Sequence, residues 1–512
     1  MITKIYRRNR WLIGAAVLLF TACSQQLPTD FTQSDALPKI YPDYVDVTIP
    51  VNIAPLTFEM DGLWEEMAVR YAFNGEEIIC RGTQALPDFN DWKSLAAAAQ
   101  GKDIQVDTYA CKDGQWTRFK SFNIHVSPDS IDAYISYRLI HPSYVSYEEL
   151  TINQRSLENY DESVIYDNIL CTENSQGQCI NCHNYQQYNP ERMQFHARQN
   201  NGGTIISIDG HIKKVNMRND SILSAGVYPA WHPWLNLIVY STNKTNQSFH
   251  TMHHNKIEVY DSQSDLIAFD VDKGEVTNLE NDTTELEVFP AWAPDGKTLY
   301  YCSAHFEKLD STKSRITEIV KRSQEIKYNI YKKSFDPETM TFGPRELVFA
   351  ADSLNKSATL PRISPDGRYL MFALAEFGVF HIWHHDANLW MLDLSEKGKV
   401  NSEKSARPMT EINSADTESY HSWSSNGKWV VFSSRRDDGT YTRPFFAHID
   451  QDGHGTKPFE LPCADPHYHR EFMRCYNIPE FMHGPVTIKP QTFADILKGD
   501  GEPVKYVQRL TK

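Results

Sequence analysis

A fourfold internal repeat constrains the fold of this chain more than any other feature. One copy is Phe289-Pro-Ala-Trp-Ala-Pro-Asp-Gly-Lys-Thr-Leu-Tyr-Tyr-Cys302, and the others begin at Tyr228, Leu360 and Tyr420. In each copy an apolar segment leads into a Pro-Asp-Gly-type turn and then into a second apolar segment, and two further strands follow. Repeated four-stranded units indicate a β-propeller.

The spacing of the copies indicates how the propeller is built. Aligned positions 229, 290, 361 and 421 are 61, 71 and 60 residues apart, so the outer loops must carry insertions. Residues 204–215 resemble the outer half of a preceding blade. We expect five to seven blades within residues 202–464, with six as the favoured number and the ring closed by pieces from both ends of the chain. Residues 465–512 are expected to form a short helix and a loop that pack on the propeller.

Residues 39–146 have a different pattern, which indicates a separate domain. Val45 to Ile53 alternates with a period of two, and Asn74-Gly75 is a hairpin signal. One helix is predicted from Asp91 to Gln100, with Asp91 as its N-cap. A β-sandwich-like domain is therefore expected in front of the propeller, in a mainly β protein whose 512 residues exceed what one core can organise.

Between these domains, residues 147–201 carry the motif Cys179-Ile-Asn-Cys182-His183. Two thiols three positions apart, followed at once by an imidazole, are typical of c-type haem attachment. Each thiol adds to one vinyl group of the porphyrin, and His183 is then the proximal iron ligand. One covalent haem c is expected, packed against one or both neighbouring domains because the segment is short.

Three other interpretations of the motif are weaker. A thioredoxin-like pair would lie near a βαβ unit, which the flanking sequence does not resemble. A zinc site could recruit Cys171, but the adjacent Cys182 and His183 rarely both reach one tetrahedral metal. A disulfide between Cys179 and Cys182 would leave His183 unexplained.

The remaining haem contacts are sought in the residues that follow the motif. Met193 and His196 are candidates for the distal ligand, and Arg192 and Arg198 are candidate partners of the haem propionates. Another domain could supply the distal ligand instead. Two histidine-rich runs could form a separate metal site on a propeller face or be ordinary loop residues: His250, His253 and His254, and His381, His384 and His385.

The N-terminus resembles an export signal. A basic segment precedes the apolar run from Trp11 to Phe20, which is too short to span a membrane, and Thr21-Ala22-Cys23 follows. Small residues before a cysteine resemble a bacterial lipoprotein signal over residues 1–22, with Cys23 acylated and residues 23–38 as a tether. The alternative is an ordinary cleaved signal in which Cys23 has no role. Export agrees with haem attachment, which takes place outside the bacterial cytoplasm.

The charge of the chain restricts its partners. Removing residues 1–22 takes away four positive charges and no negative ones, so the net charge falls from −15 to −19. Nucleic acid is therefore a poor partner, and a lipid anchor rather than charge would hold the protein at a membrane. Outside the cytoplasm some of the other cysteines could pair, with Cys80–Cys111 and Cys463–Cys475 as the local guesses.

The repeats resemble the PD40 repeats of TolB-like proteins over about residues 203–460. Beyond the repeats, the mature chain resembles a group of Bacteroidetes lipoproteins in which a cytochrome c motif precedes a TolB-like propeller. Three phrases carry that resemblance, namely Ile40 to Val45, Asn181 to Tyr185 and Ser434 to Gly439. A segment similar to Phe195 to Arg198 recurs in this group, which favours His196 as the distal ligand. Ser24 after Cys23 resembles the class destined for the outer membrane.

The function expected from these features is electron transfer. One haem and no second cofactor motif favour a membrane-anchored periplasmic carrier, or a subunit of a redox complex, with the propeller as the docking platform for a protein partner. A haem enzyme with a propeller-lined pocket and a non-catalytic TolB-like scaffold are the alternatives. Peptidase activity is not expected, because no Gly-x-Ser-x-Gly motif is present.

Overall fold

The predicted propeller is present, and its blades are arranged around a closed ring. The computed structural model describes residues 26–142, 149–172, 177–395 and 406–508. Within these residues six blades of four strands each follow one another around an axis, with the second and third joined by one bridge between Ser264 and Leu286, and the innermost strand of the last blade contacts that of the first. The four repeats seen in the sequence form the two inner strands of the second to fifth blades.

Five of the blades follow one another in chain order, and within each of them the strands run from the axis outward. The first blade consists of Gln178–Tyr185, Arg192–Gln199, Gly203–Ile208 and His211–Asn216. The second consists of Val227–Trp231, Leu237–Phe249, Ile257–Asp270 and Glu275–Glu280. The third consists of Glu285–Trp292, Thr298–His305, Asn329–Asp336 and Thr341–Phe349. Blades four and five consist of Ser357–Ile363, Tyr369–Ala375, Asn388–Asp393 and Ala406–Pro408; and Glu418–Trp423, Trp429–Ser434, Arg443–His448 and Phe459–Glu460.

The sixth blade closes the ring with two distant parts of the chain. Its innermost strand, Cys475–Met482, pairs antiparallel with Tyr134–Ile140, and Thr151–Ser156 and Glu162–Asp167 complete the sheet. The ring is thus closed by pieces from both ends, as expected. Two very short strands near the C-terminus, Glu502–Pro503 and Lys505–Tyr506, add to the outer edges of blades one and two. Three helices lie outside the sheets: Arg315–Lys321, Tyr468–Glu471 and Pro490–Lys498.

A β-bulge interrupts every inner strand at the same position. The bulged residue has a positive φ in each blade, namely Cys182 (58°), Tyr228 (47°), Phe289 (54°), Leu360 (57°), Tyr420 (46°) and Ile478 (55°). Each bulge shifts the register of the strand pair. The bulged residues surround a narrow axial cavity of about 40 Å³, which is room for roughly one or two waters.

The N-terminal domain consists of two sheets and one helix. Its strands are Thr32–Gln33, Ile40–Tyr41, Thr48–Pro50, Phe58–Met60, Glu66–Phe73, Glu76–Gly82, Gln84–Ala85, Lys102–Lys112, Gln115–Arg118 and Phe122–Ser127. Seven form one sheet and three form a smaller one. The helix Phe89–Ala98 begins earlier than predicted, and its cap lies three residues before the predicted one: Asp88 accepts the backbone N–H groups of Asn90 and Asp91 and is the N-cap.

The domain boundaries differ from those expected. The segment 147–201 is not a separate haem segment, because residues 151–167 belong to the sixth blade and residues 178–199 form the two inner strands of the first. Residues 134–140, expected in the N-terminal domain, pair with the sixth blade's innermost strand. The tail from residue 465 does contain helices, but it also supplies that strand.

Neither guessed disulfide is formed. Cys80 and Cys111 lie on strands that flank Glu66–Phe73 on opposite sides, where they pair with Val69 and Glu66. The two strands alone are roughly 9–10 Å apart, and the offset along them adds to this, so the cysteines are too far apart for a bridge. Cys463 and Cys475 are also unbridged. All the cysteines that the structure describes are buried thiols.

Glu287, on the innermost strand of the third blade, leads to a prediction about pH. It is fully buried, neither carboxyl oxygen has a hydrogen-bond partner in the described structure, and burial together with nearby Glu280 raises its pKa to about 9. A raised carboxyl pKa means that stability is lost as pH rises from the unfolded value near 4.5 towards 9. We expect Glu287→Gln to be more stable than wild type by about 2 kcal/mol or more at pH 8 and similar to it at pH 4, measured by urea unfolding.

Glu285 is the matched control two residues away. Its carboxylate accepts a hydrogen bond from Ser303 Oγ at 2.7 Å and contacts Arg345 at 3.4 Å, so the ionised form is stabilised by its partners. Glu285→Gln should therefore destabilise the protein at pH 8 by about 1–3 kcal/mol. An equal effect of Glu287→Gln at both pH values would contradict the prediction.

Candidate functional site

The predicted attachment motif lies on the innermost strand of the first blade, at its bulge. Cys179 and Cys182 are 9% and 4% exposed, and neither is bridged. The amide of Asn181 donates to Cys179 Sγ at 3.1 Å, and the guanidinium of the buried Arg138 donates to the Asn181 side chain. Burial raises the pKa of the Cys182 thiol. Arg138 and Asn181 thus hold the first thiol in place from the sixth and first blades.

His183 is buried without a hydrogen bond of good geometry. It is 2% exposed, and neither ring nitrogen makes a hydrogen bond of good distance and angle within the described residues, although the backbones of Ser136 and Ile478 are close enough to act on its pKa as weak hydrogen-bond partners. Burial, followed by the charge of Arg138, lowers the pKa of His183 to about 3. The imidazole is therefore neutral, which is the form that binds metals. An unpaired buried polar ring costs stability, so it calls for a functional or structural explanation.

His421 provides an internal comparison, because it occupies the same position in the fifth blade. Each histidine directly follows the bulged residue of its strand, where the other four blades have proline. His421 is equally buried, but its Nε2 lies 3.0 Å from the carbonyl oxygen of Met371. A histidine at this position can therefore be paired by the fold, and the unpaired His183 is not a simple consequence of propeller geometry.

The two thiols border a common cavity of about 200 Å³ near the axis. Arg198, Thr245 and Asn246 also line it, and the same three residues line a larger cavity of about 850 Å³ between the first and second blades. Together these spaces are of the size found for ligand and cofactor sites. The His183 ring borders the axial cavity instead, and Cys182 borders both that cavity and the one shared with Cys179.

The two candidate distal ligands point to opposite faces of the second strand, as alternation along a strand requires. His196 lies beside Asn181 in the ladder, lines the large cavity and shares a 3.0 Å hydrogen bond between Nδ1 and Thr204 Oγ1. Burial and the nearby charge of Arg198 lower the pKa of His196 to about 3. Met193 is fully buried in an apolar core on the other face, with Phe195 and Phe493. The structure brings His196, but not Met193, towards the thiol side.

The two candidate propionate partners also separate. Arg198 is the ladder partner of Cys179 and lines both cavities. Arg192 is engaged at the other end of the strand, where it donates to Gln186 and pairs with Asp209 at 2.7 Å and also with Asn236. Arg198 is therefore near the thiols, and Arg192 is not.

The histidine-rich runs do not assemble a metal site. The ring centroids of His254 and His385 lie 3.9 Å apart with the planes tilted by 43°, and His385 Nδ1 lies 2.8 Å from Asp416. The buried His384 lies 2.9 Å from Glu258. Across the described ranges, no group of three or more His, Cys, Asp or Glu side chains has an arrangement suited to a metal ion. His384 and His385 pair with carboxylates instead, and His381 is hydrogen-bonded to Thr359 and to the carbonyl oxygen of Gly378.

Comparisons with known proteins found only distant similarities. No protein-family model matches the chain, and no curated protein matches it. Among solved structures it is similar to an oligogalacturonate lyase from Vibrio parahaemolyticus, with 13% identity over 69% of this chain and 88% of that one and a TM-score of 0.32. It is also similar to prolyl oligopeptidase B from Galerina marginata, with 8% identity over 69% of this chain and 42% of that one and a TM-score of 0.33.

By its own sheets, the chain is a mainly β protein built on a β-propeller. The chain spans less than half the length of the prolyl oligopeptidase, and similarities this distant say nothing about activity. The described residues contain no helix with the length and apolar composition needed to cross a membrane. Cys23 and the rest of the predicted signal lie outside the described residues.

Proposed function

We propose that this protein is an exported c-type haem protein that carries electrons, with Cys179 and Cys182 as the attachment residues and His183 as an axial ligand. The observation that carries the proposal is the buried, unpartnered imidazole of His183 directly after two unbridged thiols that border one cavity. The neighbouring 850 Å³ space gives room beside the thiols, and His196, which lines it, is the residue that would provide a second ligand to the iron.

The chain's own residues have defined tasks in this proposal. Asn181 and Arg138 hold the Cys179 thiol, and the neutral ring of His183, which makes no hydrogen bond of good geometry within the described residues, would bind the iron. Arg198 offers a positive charge at the wall of the cavity. When bound, haem supplies a one-electron redox couple whose potential depends on its axial ligands and on its burial.

The proposal includes export and anchoring. Cys23 would carry the lipid and hold the protein at a membrane, with the outer membrane facing the periplasm as the proposed location. The acidic propeller would then act as the docking platform for a redox partner protein, which would have to present a basic or neutral surface. The support for this part comes from the sequence, namely the signal segment and the charge of the mature chain.

A pyridine haemochrome assay tests the central claim. The full chain is produced together with bacterial haem-attachment machinery, and covalent haem is measured after denaturation and extraction. We expect wild type to hold about one haem per chain, and Cys182→Ser to lose covalent attachment through one thioether and shift the haemochrome band. Cys179→Ser combined with Cys182→Ser should hold no covalent haem. Cys302→Ser is the matched control, since Cys302 is a fully buried, unbridged thiol on a propeller strand.

A different result would favour another function. If wild type held no covalent haem, the best remaining function would be that of a non-catalytic propeller scaffold. The equivalent positions of Cys182-His183 and Tyr420-His421 on their blades favour this alternative, because both pairs could then be structural. If haem is attached, carbon monoxide added to the reduced protein separates carrier from enzyme. A six-coordinate haem that does not react indicates a carrier, whereas rapid binding indicates an open site for catalysis.

A further inference from the structure

The large cavity between the first and second blades has a charge that contrasts with the rest of the molecule. The chain as a whole has a net charge of −15, yet no Asp or Glu is among the described residues that line this 850 Å³ space. Three cationic side chains line it instead: Arg198, Arg218 and Lys244. Arg218 and Lys244 are exposed, so the cavity is open to solvent, and a concave surface lined by charges of one sign attracts ligands of the opposite sign.

The rest of the lining is suited to hydroxyl groups. Asparagine and serine side chains make up much of the uncharged polar wall, including Asn216, Asn219 and Asn246, whereas the side chain of Asn243 is engaged by Ser241 and Asp261. Amide and hydroxyl groups donate and accept hydrogen bonds in directions that polyhydroxylated ligands can satisfy, whereas guanidinium groups match carboxylates. The combination differs from that of an apolar drug-like pocket and from that of a metal site.

His196 adds a neutral polar group to the same wall. It is 5% exposed, and its Nδ1 is engaged by Thr204, so the ring orientation is set by the third strand of the blade. Lys244 is oriented by a 2.8 Å hydrogen bond to the side chain of Gln263.

We propose that this cavity binds carboxylate groups carried on a polar, hydroxyl-bearing or cofactor framework. Two sources have this chemistry. One is a diffusible acidic saccharide, which would enter the cavity from solvent. The other is the pair of propionates of a haem attached at the adjoining thiols. The haem source rests on the proposed function, whereas binding of a saccharide does not.

Isothermal titration calorimetry with a matched pair of disaccharides tests the proposal. Cellobiouronic acid and cellobiose differ only by a carboxylate in place of a hydroxymethyl group. They are titrated into the full chain made without haem-attachment machinery and into the chain made with it. We expect the haem-free chain to bind the acid at least about tenfold more tightly than the neutral sugar, and Arg218→Ala to reduce that affinity by about tenfold. Arg218→Lys should retain part of it, and Lys297→Ala, an exposed lysine on the third blade, should leave it unchanged.

The two protein forms identify the source. Binding of the acid to both forms supports a diffusible saccharide, while binding to the haem-free form alone supports occupation by the haem carboxylates. Equal binding of the two sugars, or binding to neither form, overturns the proposal. If no covalent haem forms, the haem-free measurement still decides whether the cavity binds carboxylates, so failure of the proposed function is recognised separately.

Discussion

Removing residues 465–512 is expected to abolish cooperative folding of the propeller. The deleted segment contains the innermost strand of the sixth blade, which pairs with Tyr134–Ile140 and closes the ring. Tyr476, Phe481 and Met482 on that strand are at most 1% exposed, and burial of three such side chains contributes roughly 5–9 kcal/mol. That is comparable with the whole stability of a typical domain.

The loss would extend beyond the strand itself. Arg443 on the fifth blade donates hydrogen bonds to the carbonyl oxygens of His469, Phe472 and Arg474, and Ser433 donates to that of Tyr476. The deletion would leave these buried donors unpaired and Tyr134–Ile140 with an open edge. We expect a broad thermal transition by circular dichroism and aggregation in gel filtration.

A shorter deletion is the control. A chain that ends at Gly501 lacks only the two very short edge strands and the last residues, and it should melt cooperatively within several degrees of wild type. If the chain lacking residues 465–512 melted as sharply and at the same temperature as the full chain, closure by the C-terminal strand would not support the fold.

The sequence predicted the propeller because four blades share a strong local signal. In the second to fifth blades, a tight turn follows a few residues after the bulged residue. The turn contains Pro-Asp-Gly in the third and fourth blades, Asn-Gly in the fifth and Pro-Trp-Leu-Asn in the second, so a similar pattern repeats along the chain. The first and sixth copies keep only part of it. They retain the bulge and an aromatic residue three positions after it, as in Tyr228 to Trp231. These are Cys182 to Tyr185 in the first blade and Ile478 to Phe481 in the sixth.

Those two copies escaped prediction for physical reasons. In the first blade the turn is longer, with Gln187 and Tyr188 in left-handed conformations instead of a Pro-Asp-Gly turn. In the sixth blade the partner strand lies more than three hundred residues earlier, since Phe481 pairs with Ile135. No local pattern reveals a pairing across that separation. The aromatic residue after the bulge is the signal that could have identified both copies.

The candidate site was predictable in its residues but not in its surroundings. The spacing of Cys179, Cys182 and His183 identifies the motif, and alternation along the following strand separates Met193 from His196 once that strand is assigned. Arg138 could not have been found, because it reaches Asn181 from the sixth blade. The large cavity depends on how the first and second blades face each other, which follows from tertiary packing alone.

Replacing His183 and His421 separately should give opposite results. In the haem-loaded protein, His183→Ala is expected to remove the axial ligand, so the low-spin absorption spectrum is lost while the thioether bonds to Cys179 and Cys182 remain possible. Both variants leave a cavity of similar size, but His183→Ala removes no hydrogen bond of good geometry within the described residues, so it should cost less stability than His421→Ala. His421→Ala leaves the carbonyl of Met371 unpaired and should destabilise the protein by about 1–3 kcal/mol without altering the spectrum.

The pair separates a ligand from a structural residue, because both histidines follow the bulge of an innermost strand and are buried to the same extent. Absorption spectra of the reduced and oxidised protein report the ligand, and urea unfolding reports stability. An unchanged spectrum in His183→Ala would show that another side chain binds the iron. His196→Ala would then be the next variant to measure, because His196 lines the cavity that adjoins the thiols. A loss of stability in His183→Ala as large as that in His421→Ala, with the spectrum retained, would assign His183 to the fold and not to the cofactor.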